Sequence, residues 1–569
     1  SIHDLLIMFV MERIRNSIKE SLEREIRSKF SIKLSVLLEI PSGEHGDFAY
    51  PLYDLLKLLK KSPEEIGKKL IEDLRIDNVS KIELSGNYVN FYVDYTSISQ
   101  AFIEEIWRKG KEALSFERKN KKVILEHTSA NPTGPIHVGR ARNPIIGDTI
   151  GRVMKKCGYD VEIQYYVNDA GKQSATLVYG YRNLKIETNE EKIDHRLVHY
   201  YQKANDLLEN DEKVKMEIEK IMKEVEGGNK ELIMENREIL GNVLKGIEKT
   251  LSRINVKFDN FFWETDLILD GSVKKVLELL HNELNEENGA YYINIPKDGK
   301  NEKVFLVRKD GTTLYFTRDI AYHLMKSEMG DILINVLGED HKPHAEMLLY
   351  VLKKLKSEIN LKNIFYSFVA LPEGRMSTRK GRVVYLDDLL DEAVEKAREE
   401  ILKRRSDMAE STIKILSESI GTGAVRFNIL KIQNEKKLVF RWEEALNFEG
   451  DSSPFLQYSY ARASSILRKE QWNGKFSKDF LKDPWEIALM KNLLKYTEVL
   501  QESCETLRPH KLAKYAIDLA SIFNNFYTQC PVLKETEEIK NNRLALVHSF
   551  KLIMGDLLET MGIEHPEEI

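Results

Sequence analysis

The segment at residues 121–148 constrains the fold of this chain more than any other. It opens with a short apolar stretch, KKVILEHTS, passes through NPTGP at 131–135, where regular structure is excluded, and continues as a helical run from about His137. A strand, a tight loop and a helix in this order form the opening unit of a nucleotide-binding α/β domain. A second strand is predicted at residues 161–166, after the length of one crossover helix, as a right-handed βαβ unit requires.

The length of the chain indicates several domains, because 569 residues are too many for one hydrophobic core. Residues 1–115 are predicted to form a small α+β domain. Within it, Ser62 and Pro63 are typical of a helix start, and the alternating stretch KIELSGNYVNFYV at 81–93 predicts a strand or a hairpin. Residues 391–569, with a junction at 391–445, have long helical periodicity and little strand signal, which predicts an all-α bundle.

Residues 116–390 are predicted to form a Rossmann-like parallel-sheet domain, which makes the whole chain multidomain α/β. From about 185 to 255 the chain is dense in Glu and Lys, with Leu, Ile and Met at helical spacing. This pattern predicts a helical insertion that interrupts the α/β pattern as far as about residue 300. Helices that belong to the main domain itself remain the alternative. Further strands are predicted at 303–308 and 331–337.

Composition excludes several classes of protein. Hydrophobic residues make up 42% and charged residues 31%, which is ordinary for a soluble globular protein and excludes a disordered or collagen-like chain. The net charge of -5 argues against a protein that binds nucleic acid through an overall positive charge. Local basic patches rather than the total charge set phosphate contacts, however, so composition neither indicates nor excludes an RNA partner.

The spacing of the cysteines and the apolar stretch near the start of the sequence indicate the cellular compartment. Cys157, Cys504 and Cys530 stand far apart without a CxxC pair, so neither a disulfide framework nor a structural zinc is expected, and a reducing cytoplasm fits. The apolar stretch at 5–10 is far shorter than the roughly 20 residues that span a bilayer, and it lacks the marks of a signal peptide. No membrane partner is expected.

Two loops carry the chemistry. His137-Val138-Gly139 follows the first strand, where loop and helix amides favour a phosphate, the histidine can donate to it, and the glycine leaves space for an adenine ring. The second loop, LPEGRMSTRKGRVVYLDDLL at 371–390, could close positive charge over a pyrophosphate leaving group. Taken alone, the first is an ordinary core or surface histidine and the second a solvated basic loop; their joint presence favours the nucleotide site.

Together the two loops resemble the His-Ile-Gly-His and Lys-Met-Ser-Lys-Ser signatures of class I aminoacyl-tRNA synthetases. Further stretches are similar to the arginyl family, and SGNYVNFYV resembles its N-terminal extra domain. These stretches are YVNDAGKQ (166–173), RKDGTTLYFTRDIAYHLMK (308–326), VLGEDHKPH (336–344), RMSTRKGRVV (375–384) and FEGDSSPFLQYSYARASSILRK (448–469). The resemblance covers nearly the whole chain except the helices at 185–255.

The resemblance implies an enzyme that activates L-arginine with ATP and transfers it to the 3′ end of tRNA(Arg). The arginine carboxylate attacks the α-phosphate in line, which gives arginyl-adenylate and pyrophosphate, with Mg²⁺ as the counter-ion of ATP. Activation is expected to require bound tRNA. The protein is expected to be a cytoplasmic monomer without structural zinc.

The resemblance also implies an arginine pocket. Its residues are Glu126, Ser129, Asn131, Tyr315, Asp319 and His341. Glu126 and Asp319 are expected to face the guanidinium, whose planar fork of donors suits carboxylate partners, with Tyr315 beside it. Ser129 and Asn131 are expected to hold the α-amino and carboxylate end. An Asp319 that pairs with Arg318 or caps a helix, and a Tyr315 in the core of a strand, stay open as alternatives.

The same resemblance implies catalytic and ATP-binding residues. The catalytic set is His137, Gly139, Arg140, Arg375, Ser377, Arg379 and Lys380, and the ATP-binding set is Asn131, Gly134, His137, Gly139, Arg140, Gly338, Asp340, His344, Met376 and Lys380. Two residues depart from the signatures: Arg140 replaces the second histidine, and Arg375 replaces the first lysine of the basic loop. Gly134 stands where some family members carry a compensating lysine, so the loop charge is expected from Arg379 or Lys380, with the choice between them open.

Contacts with tRNA are implied at both ends of the chain. The residues are Ser85, Tyr88 and Asn90 for the tRNA D-loop and Gln457, Tyr458, Tyr460 and Arg462 for the anticodon, where aromatic rings can stack on splayed bases. Helix-core packing is the alternative for most of these aromatic residues, including those at 523–527.

Three rival functions remain. A class I synthetase for a different amino acid would not need the acidic pair Glu126 and Asp319. A non-enzymatic RNA-binding relative would not need His137, Gly139 and an intact basic loop. A small-molecule nucleotidyltransferase would have no use for the long helical C-terminal region.

Overall fold

The computed structural model describes residues 10–41, 45–372, 378–379 and 382–569, with the backbone alone at 378, 379 and 382. Its first domain packs helices against a three-stranded antiparallel sheet in the order β1-β3-β2. The elements are α1 (Val10–Phe30), β1 (Phe48–Pro51), α2 (Tyr53–Leu59), α3 (Pro63–Ile71), β2 (Val79–Ser85), β3 (Tyr88–Val93) and α4 (Tyr95–Lys109). Apolar faces of α1 and β3 form its core.

Local signals predicted this domain well. Ser62 caps α3, because its hydroxyl accepts a hydrogen bond of 3.2 Å from the amide of Glu65, and Pro63 occupies the first turn, where no intrahelical donor is needed. The alternating stretch at 81–93 forms the hairpin of β2 and β3. Both predictions are confirmed.

A five-stranded parallel sheet, in the order β11-β10-β4-β5-β6, lies at the centre of the molecule. Its strands are β4 (Lys122–Glu126), β5 (Asp160–Val167), β6 (Asn260–Trp263), β10 (Ile332–Gly338) and β11 (Leu361–Tyr366). The middle of β4 is wholly buried, as expected for a parallel strand covered on both faces. The predicted Rossmann-like fold is confirmed, and the carboxyl ends of β4, β5 and β10 meet at one edge.

Helices and a second sheet surround the parallel one. The helices are α5 (Arg142–Lys156), α6 (Lys172–Asn183), α7 (Ile193–Asn210), α8 (Glu212–Glu226), α9 (Lys230–Arg253), α10 (Glu264–Leu269), α11 (Ser272–Leu279), α12 (Tyr315–Met329) and α13 (Lys342–Leu355). The second sheet is antiparallel and consists of β7 (Asn285–Glu287), β8 (Ala290–Lys297) and β9 (Lys300–Val307). It lies between β6 and α12 along the chain.

The structure divides the interruption that the sequence predicted as one piece to about residue 300. The helices α7 to α9 end at Arg253, and β6 then returns to the parallel sheet before the antiparallel sheet begins. The strand predicted at 303–308 belongs to that second sheet and not to the main one. At four residues, NFFW, β6 is too short to show a strand period, which is why the sequence did not indicate it.

The C-terminal region is helical, as predicted. Its helices are α14 (Leu386–Arg404), α15 (Glu410–Leu430), α16 (Trp442–Ala445), α17 (Ser453–Lys469), α18 (Pro484–Leu493), α19 (Tyr496–Thr506), α20 (His510–Gln529) and α21 (Glu537–Thr560). The short strands are β12 (Val369–Ala370), β13 (Thr378–Arg379), β14 (Arg382–Val383) and β15 (Leu438–Val439), and β15 pairs with β12. Within the parts of the chain that the structure describes, no helix combines the length and apolarity that crossing a membrane requires.

Buried arginines join this helical region to the central domain. Arg142 of α5 is fully buried and donates to the carbonyls of Ser367, Ile432, Gln433 and Lys436 over 2.7 to 3.2 Å. Arg426 of α15, also fully buried, reaches the carboxylate of Asp148 at 2.6 Å. These contacts fix the start of α5 against the helical region, because a buried cation that loses its partners is costly.

Candidate active site

The loop at His137–Arg140 opens the site. Residues Val138–Arg140 form a single 3₁₀ turn before α5, and Nδ1 of His137 accepts a hydrogen bond of 3.1 Å from the amide of Gly139. The amide of Val138 donates to the carbonyl of Val384 over 3.0 Å, and His137 pairs with Tyr385 in an antiparallel bridge. Burial lowers the pKa of His137, and the charge of Arg140 lowers it further.

Segments before and within the basic loop lie at this turn. Val384 and Tyr385 belong to the later half of the loop, while Val369, which precedes the loop, places its carbonyl 3.8 Å from the position that a Cβ on Gly139 would take. The backbone of Arg379 pairs with Arg382 in the β13–β14 ladder. The other predicted loop residues, Arg375, Met376, Ser377 and Lys380, lie outside the described residues.

The loop after β4 forms one wall of the pocket. Ser129 Oγ donates to Glu126 Oε2 over 2.9 Å and accepts from the amide of Tyr166 at 3.0 Å, so Ser129 joins the ends of β4 and β5. Asn131 Nδ2 donates to Gln173 Oε1 over 2.7 Å. The structure therefore brings three predicted arginine-binding residues to the carboxyl edge of the sheet.

Asparagine 143 ties this wall to the His137 loop. Its Oδ1 accepts from the amide of Thr128 at 2.6 Å, and its Nδ2 donates to the carbonyl of Val336 at 3.0 Å. Because Asn143 lies in the first turn of α5, it links the segment after Glu126, the edge of β10 and the helix that begins after Arg140.

The first turns of α12 supply the opposite wall. Asp319 is 7% exposed, and Tyr315 is 43% exposed, as expected for a side chain that lines an open cavity. Burial raises the pKa of Asp319. The opposing effect of His323 and His344 is larger, because both contact the carboxylate, and it holds the pKa of Asp319 well below its usual range. The alternative of a core strand for Tyr315 is wrong, because this residue starts a helix.

No sequence pattern predicted a third carboxylate near the site, that of Glu264. Glu264 lies directly after β6, is fully buried, and accepts from Arg318 Nε at 2.6 Å; Arg318 therefore pairs with Glu264 and not with Asp319. Its Oε2 has no hydrogen-bond partner among the described residues. Burial raises the pKa of Glu264, and Arg318 opposes that shift. An acid immediately after a strand was the available signal, but β6 itself was not predicted.

Several further predicted site residues lie around the end of β10 and the turn before α5. Arg140 lies 3.6 Å from Asp340 and 5.2 Å from the ring centre of Phe368. A Cβ on Gly338 would come within 2.6 Å of the Asp340 carboxylate and 2.9 Å of the Phe368 ring, so a larger residue there would have to displace these side chains. His341 is half-exposed beside Asp340 and is not among the groups that contact Asp319.

Gly134 and His344 were both predicted to bind ATP, which stays a prediction, and the structure shows their protein neighbours. A Cβ on Gly134 would lie 2.5 Å from Val198 of α7, so this glycine lets the loop pack closely on a helix of the insertion. His344 Nε2 lies 2.7 Å from Asp319 Oδ2, with its ring 5.5 Å from that of Tyr315. His344 therefore contacts two of the residues that were predicted to bind arginine.

One group of acids and histidine in the described part of the chain has the spacing of metal ligands: Asp194, His195 and Asp387. The ammonium of Lys192 lies 3.0 Å from Asp194 and 2.7 Å from Asp387, in the place that a cation would take. We interpret the group as an ionic cluster. The cluster joins the start of α7 to Asp387, which lies in the first turn of α14, two residues after Tyr385.

The predicted N-terminal RNA contacts lie together. Ser85, Tyr88 and Asn90 line a surface cavity of about 490 Å³, which Glu39 and His45 also line. The Tyr88 hydroxyl lies 3.2 Å from that of Tyr53, and Asn90 is largely buried.

The predicted bundle contacts divide into two kinds. Gln457 is fully buried and donates to the backbone of Glu564 at 2.9 Å, whereas Tyr460 is 6% exposed and lines a surface cavity of about 670 Å³. Arg462 lies between two rings, 5.1 Å from the centre of Tyr458 and 4.3 Å from that of Tyr527. Of the four, Gln457 is therefore enclosed by the bundle, while Tyr458 and Arg462 form a stack at the surface.

Three family models match consecutive parts of the chain. The model "Arginyl tRNA synthetase N terminal domain" matches residues 12–93, "tRNA synthetases class I (R), catalytic domain" matches 102–442, and "DALR anticodon binding domain" matches 456–569.

Individual proteins agree. The Arginine–tRNA ligase of Methanocella arvoryzae is 43% identical over 540 residues, 94% of this chain and 95% of that protein, and that of Methanocaldococcus jannaschii is 40% identical over 98% of this chain and all of its own. The solved Thermus thermophilus arginyl-tRNA synthetase superposes with a TM-score of 0.82 at 28% identity, over 98% of this chain and all of its own. The chain belongs to the arginyl-tRNA synthetase family of class I.

Proposed function

We propose that this chain joins L-arginine to tRNA(Arg) at the expense of ATP. The observation that carries the proposal is the arrangement of one sheet edge. Glu126 and Asp319, the proposed partners of the guanidinium, lie near that edge, and the His137 loop lies at the start of α5, hydrogen-bonded to Val384 of the basic loop. Acids for a guanidinium and donors for a triphosphate thus occupy one continuous site.

Recognition of arginine rests on charge. A guanidinium presents five donors in a rigid plane, and carboxylates are the partners that satisfy such a fork. Asp319 stays ionised across the physiological range because His323 and His344 hold its pKa low. Lys326 pairs with Glu126 at 3.1 Å, so the pocket does not hold uncompensated acids before the substrate binds.

His137 is set to donate to ATP. Because Nδ1 accepts from the amide of Gly139, a neutral imidazole must carry its proton on Nε2. That N–H is the free donor of the ring, and it suits a phosphate oxygen whose charge grows during attack. Arg140 and the basic loop add positive charge for the pyrophosphate, with Mg²⁺ entering as part of the ATP substrate.

The reaction needs no side-chain nucleophile. A carboxylate oxygen of arginine attacks the α-phosphorus while the bond to the bridging oxygen breaks, so pyrophosphate leaves and arginyl-adenylate forms. A ribose hydroxyl at the end of tRNA then attacks the arginyl carbonyl, and AMP leaves. The protein positions the reactants and stabilises developing charge.

The finer features of this function are also proposals. The cavity of Ser85, Tyr88 and Asn90 contacts the tRNA body, and the stack of Tyr458 and Arg462 contacts the anticodon. We further propose that activation requires bound tRNA and that the protein works as a cytoplasmic monomer. The three free cysteines suit a reducing compartment.

A charging assay tests the proposal directly. Purified protein, MgATP and a panel of purified tRNAs are incubated with each of the twenty amino acids, and esterified tRNA is measured. We expect arginine on tRNA(Arg) alone; charging with a different amino acid, or none, would overturn the proposal. ATP–pyrophosphate exchange with arginine in the absence of tRNA is expected to be weak, and strong exchange would contradict tRNA-dependent activation.

A further inference from the structure

Three buried side chains connect the two acids of the arginine pocket. Lys326 Nζ lies 3.1 Å from Glu126 Oε1 and 3.1 Å from Asn335 Oδ1. Asn335 Nδ2 lies 2.8 Å from His323 Nε2, and His323 Nδ1 lies 3.1 Å from Asp319 Oδ1 and 2.8 Å from the Asp319 carbonyl. An unbroken series of hydrogen bonds therefore runs from β4, through α12 and β10, back to α12.

The donors and acceptors of this series allow one arrangement. Lysine can only donate, so Asn335 must present its oxygen to Lys326 and its NH₂ group to His323. Nε2 of His323 must then accept, which places the ring proton on Nδ1, where it is donated to Asp319. The orientation of each group is fixed by the charge of Lys326 at one end.

The series is built into the core. Lys326 is 0%, His323 2% and Asn335 3% exposed. Asn335 is the polar residue within the apolar strand ILINVLG, and it stands directly across from Glu126 in the register of β10 and β4. Buried polar groups are costly unless fully paired, and a fully paired network holds its members in a single geometry.

We propose that Lys326, Asn335 and His323 are positioning residues that set the spacing and orientation of Glu126 and Asp319 for the guanidinium of arginine. Because all three side chains are almost completely buried, they act on the substrate through the two acids. The proposal rests on the proposed arginine-binding role of the two acids. Because the series ends at the arginine side and includes none of His137, Arg140 or Asp340, its loss affects arginine binding and leaves ATP binding intact.

The first test breaks the series at its centre and measures steady-state charging. Asn335→Leu removes both hydrogen bonds, and His323→Asn retains a donor toward Asp319 while losing the link to Asn335. Each is expected to raise KM for arginine about tenfold, with KM for ATP changed less than about twofold. The double variant is expected to be no worse than either single one, because residues of one network are not additive.

Asn363→Leu is the matched control. Asn363 lies in register with Asn335 on β11, and its Oδ1 has no hydrogen-bond partner among the described residues. We expect wild-type values of both KM constants for it. The proposal would be overturned if Asn335→Leu or His323→Asn raised KM for arginine and KM for ATP equally. It would also be overturned if the effects of the two single variants multiplied in the double variant.

A second measurement reads out the wild-type protein and holds even if Asn335→Leu fails to fold. The ¹⁵N spectrum of histidine-labelled wild-type protein is expected to report His323 as protonated on Nδ1 and unprotonated on Nε2, assigned by loss of its signals in His323→Asn. A proton on Nε2 would overturn the series. Wild-type protein that fails to charge arginine would instead refute the proposed function, which separates the two outcomes.

Discussion

His344 of α13 contacts Asp319 of α12 at 2.7 Å, from Nε2 to Oδ2. The contact joins two helices that flank β10 and leaves the carboxylate ionised at the mouth of the pocket. Arg140 and Asp340, by contrast, lie 3.6 Å apart beside the loop for which we propose a role in ATP binding. The proposal assigns the two aspartates to different substrates, which allows a paired test.

Asp319→Asn is expected to raise KM for arginine about 100-fold, because a neutral amide replaces a buried charge partner of the guanidinium. KM for ATP should change less than about twofold. Steady-state charging with each substrate varied in turn provides the measurement. Asp340→Asn is the control and should alter KM for ATP instead; equal effects of Asp319→Asn on both substrates would contradict the pocket assignment.

His137→Ala should lower kcat by about 10- to 100-fold with little change in KM for arginine, because the donor to the reacting phosphate is lost. His137→Gln, whose amide can reach the position of Nε2, should recover part of the loss, whereas His137→Asn should not. Single-turnover charging separates this step from product release. Equal rates for the Gln and Asn variants would contradict the assigned tautomer.

The free energy of unfolding should depend on pH through His127. This side chain is 1% exposed, and its burial lowers its pKa to about 4. Between about pH 6.5 and 4 the unfolded chain binds this proton and the folded protein does not, so the free energy of unfolding falls on acidification. The contribution is complete above about pH 6.5, and its loss by pH 4 amounts to about 3 kcal/mol.

Urea unfolding of wild type and His127→Asn at several pH values measures the effect. The comparison removes the contribution of all other titrating groups. The difference in unfolding free energy between the two proteins should shrink as the pH falls from 7 to 4.5. A constant difference would show that His127 does not titrate in this way.

Arg142→Met should destabilise the protein by at least about 3 kcal/mol, because four buried carbonyls lose their donor. Burial lowers the pKa of Arg142 to about 10, and a methionine of similar length fills the space without replacing any hydrogen bond. Arg152→Met on the same helix is the control, with a smaller expected cost of about 1 kcal/mol, because Arg152 is only partly buried, its carbonyl partners at Asn255 and Glu559 are partly or fully exposed to water, and Asp148 keeps its contact with Arg426. Chemical denaturation gives both values, and similar costs would contradict the account.

Arg462→Ala should raise KM for tRNA about tenfold and leave KM for arginine and ATP unchanged, because the side chain lies between Tyr458 and Tyr527 on a surface that can stack with bases. Arg468→Ala, on the same helix but bonded to the backbone of Glu567, is the control with wild-type KM values. Equal KM values for tRNA in the two variants would place the anticodon elsewhere.

Local patterns in the sequence determined much of this protein. The order of strand, loop and helix at 121–148 predicted the parallel sheet, Ser62 and Pro63 predicted the start of α3, and alternation predicted the hairpin of β2 and β3. These predictions succeed because periodicity, capping and turn chemistry act over a few residues. The same locality placed Glu126 at the end of a strand, where the site lies.

Tertiary structure decided which distant groups meet. β6 joins the sheet through pairing with β5, Glu264 reaches Arg318, and Lys326 reaches Glu126 only because α12 packs on that face of the sheet. Packing likewise buried Gln457 while leaving Arg462 between two rings. A linear pattern specifies which side chains can donate or accept, but burial and partner choice depend on contacts between segments far apart in the chain, and those exist only after folding.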